Sequence, residues 1–208
     1  MQFAKKILTV CFVAALAIST GGLMADATAQ NLLVNGDFET GDLTGWEVAG
    51  GNASAGVTVE TPDNGPAFPG SNNAYMSNMG EAVGLTLKQV TAPGTAAPGL
   101  INYSFDLKLD QADAGGVLFV EIFAEAEGVG IIGGSGLMGP YWPWGEWETF
   151  GGSFVAPENT SFLTIQIMAN TGAAQGTNCL AHVDNVVLDL NGIVADETTS
   201  LDSIKALY

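Results

Sequence analysis

Three of the chain's four tryptophans, Trp142, Trp144 and Trp147, fall inside the stretch GPYWPWGEWETF at positions 139–150. Flat apolar rings can lie against the C–H face of a sugar ring without any reactive group, while edge-on amides and carboxylates take the hydroxyls. Pro140 and Pro143 fix φ on either side of Trp142, so these rings would lose little conformational freedom on binding. Tyr141, Trp142 and Trp144 therefore form a candidate platform, with Glu146, Gln166 and Asn170 as the hydroxyl partners and Glu148 and Asn73 in reserve. A second role stays open for the same rings, which could hold their own segment down or pack on a neighbouring subunit, since aromatics are enriched at interfaces.

Other chemistry is poorly represented. His182 is the one histidine, with no second nitrogen or sulfur ligand beside it, and reads as a hydrogen-bonded strand residue rather than a transition-metal ligand. Glu121 with Glu125, and Glu146 with Glu148, share strand faces, but no motif singles out an opposed acid pair, and no nucleophile–base set exists. The chain is accordingly expected not to be an enzyme. The turn NGDFETG brings side-chain oxygens at Asn35, Asp37 and Glu39, which suit either a hard cation such as calcium or acids that hydrogen-bond their own backbone. It is no EF-hand, because the twelfth position from Asn35 is Trp46.

The chain carries 22 acids against 5 bases and no arginine, which argues against nucleic-acid binding. Lys5 and Lys6 precede an apolar run over 7–18 and small residues ending in Ala27-Thr28-Ala29, the signature of a secretory signal peptide cleaved after Ala29. No later run is long enough to span a bilayer. The expected product is exported, extracellular or periplasmic, without membrane insertion. Cys179 is the one cysteine left after such cleavage, so no intrachain disulfide can form; it is either a small buried residue or a thiol free to cross-link two copies.

The elements that must position these groups read as strands. In INYSFDLKLD, Ile101, Tyr103, Phe105, Leu107 and Leu109 alternate with polar residues, the period of a half-buried strand. GVLFVEIFAEAE puts Leu118, Val120, Ile122 and Ala124 on one side, FLTIQIMAN puts Leu163, Ile165 and Ile167 there, and AHVDNVVLDL closes the series. With AGVTVE, NAYMSN and GLTLKQV this gives about eight strands and an all-β fold, a two-sheet antiparallel β-sandwich of jelly-roll type. Residues 61–73 and the glycine-rich 127–146 are expected as loops. The organisation is then a signal peptide at 1–29, a sandwich at 30–190, and a linker with a short C-terminal helix at 191–208, whose stripe Leu201, Ile204 and Leu207 could dock an extracellular protein partner.

The ordered set NLLVNGDFETGDLTGWEV, LKQV, INYSFDLKL, WETFGGSFVAPENTSFLTIQIM and AHVDNVVLDL resembles the carbohydrate-binding modules grouped around families 4, 9 and 22. That resemblance implies a galactose-binding-like jelly roll and a polysaccharide or glycan partner. It implies a structural calcium at the acid after the phenylalanine and an acid of the last strand, here Glu39 and Asp184, with Asp37 alongside. It also implies packing roles for Trp46 and for Trp147, the latter with Phe150 and Phe154. Two function classes follow. One is a secreted carbohydrate-binding protein; the other is a structural or adhesive cell-surface jelly roll that binds protein or itself.

Overall fold

A computed structural model of the chain describes residues 31–60 and 71–190. The expected signal peptide, most of the 61–73 loop and the expected C-terminal helix lie outside the described residues. Among the described residues there are eleven strands and no helix. They are β1 (Glu47–Gly50), β2 (Ala55–Glu60), β3 (Asn73–Asn78), β4 (Gly84–Val90), β5 (Gly99–Gln111), β6 (Val117–Ala126), β7 (Gly130–Gly134), β8 (Met138–Tyr141), β9 (Glu148–Ala156), β10 (Phe162–Asn170) and β11 (Cys179–Asp189).

The strands form two antiparallel sheets. The first runs β1-β4-β10-β6-β7 with β8 also paired to β6, and the second runs β2-β3-β11-β5-β9. The apolar phase of each strand faces the partner sheet, because a period of two sends alternate side chains to one side. Ile101, Phe105, Leu107 and Leu109 of β5, Leu118, Val120, Ile122 and Ala124 of β6, and Leu163, Ile165 and Ile167 of β10 are all fully buried in one cluster. Cys179 is part of this core as a free thiol, with burial pushing its pKa up to about 12.

The segment before β1 is tied to the last strand. Leu32 N donates to Leu188 O, Val186 N donates to Gly36 O, and the Asn31 side chain both donates to Val186 O and accepts from Leu188 N. Trp46 is buried as expected, stacked on Phe38 at 5.4 Å with its indole N–H on Asn35 O.

One expectation is corrected. The glycine-rich stretch 127–146 is not an irregular loop, because it contributes β7 and β8 to the free edge of β6. Its glycines hid the strands from pattern reading while permitting them in space. At Gly134, a side chain would meet Ile122 O at 2.1 Å, so only glycine allows that approach.

Candidate functional site

Trp142 and Trp144 are the two tryptophans in the open. They are 44% and 52% exposed, and their rings stand nearly parallel, 18° apart with centroids 6.2 Å from one another. Their backbone is fixed from both sides by a buried strand residue: Leu109 N donates to Pro143 O at 2.7 Å, and Gly145 N donates to Leu109 O at 3.0 Å. Pro143 itself is buried. A sugar held between two planes needs about 7–8 Å, twice a carbon–carbon contact. The indoles therefore pack on one another and offer outward faces rather than a slot.

The other expected members of that platform divide. Tyr141 does not belong to it. It is an inward residue of β8, half-buried, with its ring against Phe105 at 5.6 Å and Phe150 at 4.5 Å, and burial raises its hydroxyl pKa. Glu146 is exposed in the turn before β9. Asn170 pairs with Val117, and Leu118 pairs with Tyr141, so continuing the register by one residue puts Trp142 level with Asn170 across β6, about 10 Å away at two strand spacings. Gln166 lies further along β10 opposite Glu121 and Lys88, on the outer face of the first sheet, among half-buried Phe119, Phe123 and Met168.

The acids around the last strand come together only in part as expected. Asp184 is fully buried; its oxygens accept from Asn185 N at 2.7 Å and Ser71 Oγ at 3.4 Å. Burial first, then the charges of Asp106 and Glu39, lift its pKa to about 7 against the hydrogen bonds that lower it. Asp106, which the sequence reading missed, sits directly across from Asp184 on β5 and accepts from the Asn185 side-chain Nδ2 at 2.7 Å. Nothing in INYSFDLKLD distinguishes it, since a polar residue in the outward phase is what any half-exposed strand shows.

Glu39 reaches the same region by accepting from Asn72 N at 2.7 Å. Asp37 and Asn35 serve the turn instead. Asp37 accepts weakly from Glu39 N, and the Asn35 side chain donates to Asp42 O and Thr44 O and accepts from Thr40 N. Two carboxylates facing one another with a third nearby, all oxygen donors, fit a hard cation in type. Among the described residues, no three His, Cys, Asp or Glu side chains already stand as a metal cage.

The outer face of the second sheet holds an arrangement that the sequence reading did not assemble. His182 has a hydrogen-bond partner at each ring nitrogen, as expected of a strand histidine: Nδ1 is 2.8 Å from Asn73 Oδ1, and Nε2 is 2.8 Å from an Asp110 oxygen. Tyr75 leans on its ring at 4.7 Å and Trp147 meets it edge-on at 5.9 Å. Trp147 is therefore not packed inside with Phe150 and Phe154. Those two occupy the inward phase of β9, opposite Phe105 and Ile101, and Trp147 falls in the opposite phase, half-exposed. The odd spacing between Trp147 and Phe150 was the available signal.

No family model matches this sequence, and no curated protein matches it. Solved structures do match in fold. The enzymatically active domain of bacteriophage CBA120 tailspike protein 4 aligns with a TM-score of 0.60 at 13% identity, over 77% of this chain but only 21% of that one. The CBM22-1-GH10 modules of Clostridium thermocellum xylanase 10B, complexed with xylohexaose, align at 0.57 and 14%, covering 81% of this chain and 30% of that one. TmCBM61, in complex with β-1,4-galactotriose, aligns at 0.51 and 16%, covering 77% of this chain and 98% of that one. The fold is the jelly roll of carbohydrate-binding modules.

Proposed function

We propose that this is a secreted, non-catalytic carbohydrate-binding protein that stacks sugar rings on Trp142 and Trp144 and carries a structural calcium ion. The observation that carries the reading is the exposed parallel indole pair, anchored by backbone bonds to the buried Leu109 on a rigid sandwich. Exposing two indoles forfeits apolar burial worth about 25 cal/mol per Å², which an occupant would restore. Similar folds bound to xylohexaose and to β-1,4-galactotriose support the choice of a glycan.

Calcium would be held by Asp184, Asp106 and Glu39, with Asp37 left to its turn. It would neutralise an acid pair that is otherwise buried face to face, and would fasten the Glu39 turn to β5 and β11. The tail at 191–208 is proposed as a tether to an extracellular protein partner.

A second reading, self-association or adhesion, has its own observation. Ile131 on β7, Val129 just before it, Leu137 just before β8 and Val155 on β9 are 59–74% exposed, β7 and β9 being edge strands of the two sheets. Retention of the parent protein in gels containing soluble xylan, β-1,4-galactan or mixed-linkage glucan, and its loss by about tenfold or more in Trp142→Ala/Trp144→Ala with an unchanged melting temperature, is the expected result. Parental retention by that folded variant would dismiss the platform. Concentration-dependent sedimentation without sugar would favour self-association.

A further inference from the structure

Reading the second sheet across its strands gives one continuous outward row. Thr58 of β2 pairs with Tyr75 of β3, Tyr75 with His182 of β11, and His182 with Lys108 of β5. Leu107 pairs with Glu148, so the next step of that register sets Lys108 beside Trp147. The row crosses β2, β3, β11 and β5 and ends on the residue just before β9, about 19 Å at four strand spacings. Its two half-exposed rings, Tyr75 and Trp147, are both seated on the almost fully buried His182 imidazole. Since side chains on a sheet face stand in register with their cross-strand neighbours, such a row is a property of the pairing and cannot be seen along the chain.

We infer that this row is a second glycan-binding face, which takes an extended segment of neutral polysaccharide across the strands, with sugar rings on Tyr75 and Trp147. The inference rests on the glycan reading of the protein but not on the Trp142–Trp144 platform. Three observations carry it.

First, the rings are set before any ligand arrives. The His182 nitrogens are held at 2.8 Å by Asn73 and Asp110, and Lys108 holds Asp110 at 3.2 Å, so binding would order little that is not already ordered.

Second, the face is open where a chain would enter. A shallow groove of about 520 Å³ is lined by Ser54, Gly56, Thr58, Tyr75, Ser77 and Met79, and a side chain added at Gly56 would meet nothing within 4 Å. Its hydroxyls and the Tyr75 ring together supply hydrogen bonds and an apolar floor.

Third, its charge chooses among glycans. Glu60 lies 3.8 Å from His182 Nδ1, and the negative fields of Asp110 and Glu60 add to burial in raising the Tyr75 hydroxyl pKa. Carboxylates accept from sugar hydroxyls and repel uronate or sulfate groups, while the one lysine in the row is already committed to Asp110.

His182 is the chain's one histidine, so its imidazole C–H signals report this face without ambiguity in NMR titrations. The probes are soluble xylan, β-1,4-galactan and mixed-linkage glucan, with polygalacturonate as the acidic comparison. A neutral glycan that binds the parent should shift the His182 signals in both the parent and Trp142→Ala/Trp144→Ala. Trp147→Ala, and Thr58→Arg at an exposed position where the fold is not at stake, should each weaken that binding about tenfold. Polygalacturonate should leave the signals in place.

If the His182 signals stay still while a glycan binds the parent through Trp142 and Trp144, the row is discarded and the platform kept. Shifts by polygalacturonate matching those by neutral glycans would also overturn the assignment. If no neutral glycan binds the parent, both sites fall together.

Discussion

At the residue scale, Asp184 sets a buried carboxyl beside a second acid. Its carboxyl is fully buried opposite Asp106, with a folded pKa near 7 against about 3.9 for an unfolded aspartate. Between those values the native state binds the extra proton, so in metal-free buffer this group lowers stability as pH rises from about 4 to about 7. Thermal melts over that range should show the decline, and Asp184→Asn should flatten it. Added calcium should raise the melting temperature at pH 7 and above, where the carboxylates are charged, and do little at pH 4, because it binds the native state alone. A melting temperature indifferent to chelator and calcium at pH 7 would remove the ion from the account. Trp147 teaches a related lesson: a tryptophan at the start of an aromatic strand reads as core until its phase is counted against Phe150.

At the scale of elements, the region worth testing is the junction of the first segment with β11. Gly36 stands where a side chain would lie 2.2 Å from Val186 O, and its own carbonyl accepts from Val186 N. Gly36→Ala must push these backbones apart, at an expected cost of about 1–3 kcal/mol in chemical denaturation. Because Glu39 follows three residues later and reaches Asn72, the same variant should also need more calcium to reach its full stabilisation. A fully stable, calcium-saturable Gly36→Ala protein would show that the junction yields freely. The strands of highest alternation, β5, β6 and β10, were legible because burial on one face writes a period of two into the sequence. β7 and β8 were not, since glycines admitted by close backbone approach at an edge leave no such period.

At the scale of the whole molecule, charge sets the choice of partner. The formal charge is −17, there is no arginine, and the two lysines among the described residues are paired, Lys88 with Glu47 at 3.3 Å and Lys108 with Asp110 at 3.2 Å. Polyanionic glycans should therefore fail to bind even at low salt, whereas affinity for neutral glycans should change little when salt is raised, because ring stacking is not screened. Salt-sensitive retention of dextran sulfate in affinity gels would contradict this.

The sequence by itself determined the all-β class and the core strands, since both follow from residue type and local period, while the resemblance alone carried the expectation for Trp46. Only the tertiary structure decided which residues meet. Asp106 faces Asp184, Tyr141 turns inward, and Thr58, Tyr75, His182, Lys108 and Trp147 align across the second sheet, because cross-strand register is fixed by pairing between distant segments and leaves no mark along any one of them.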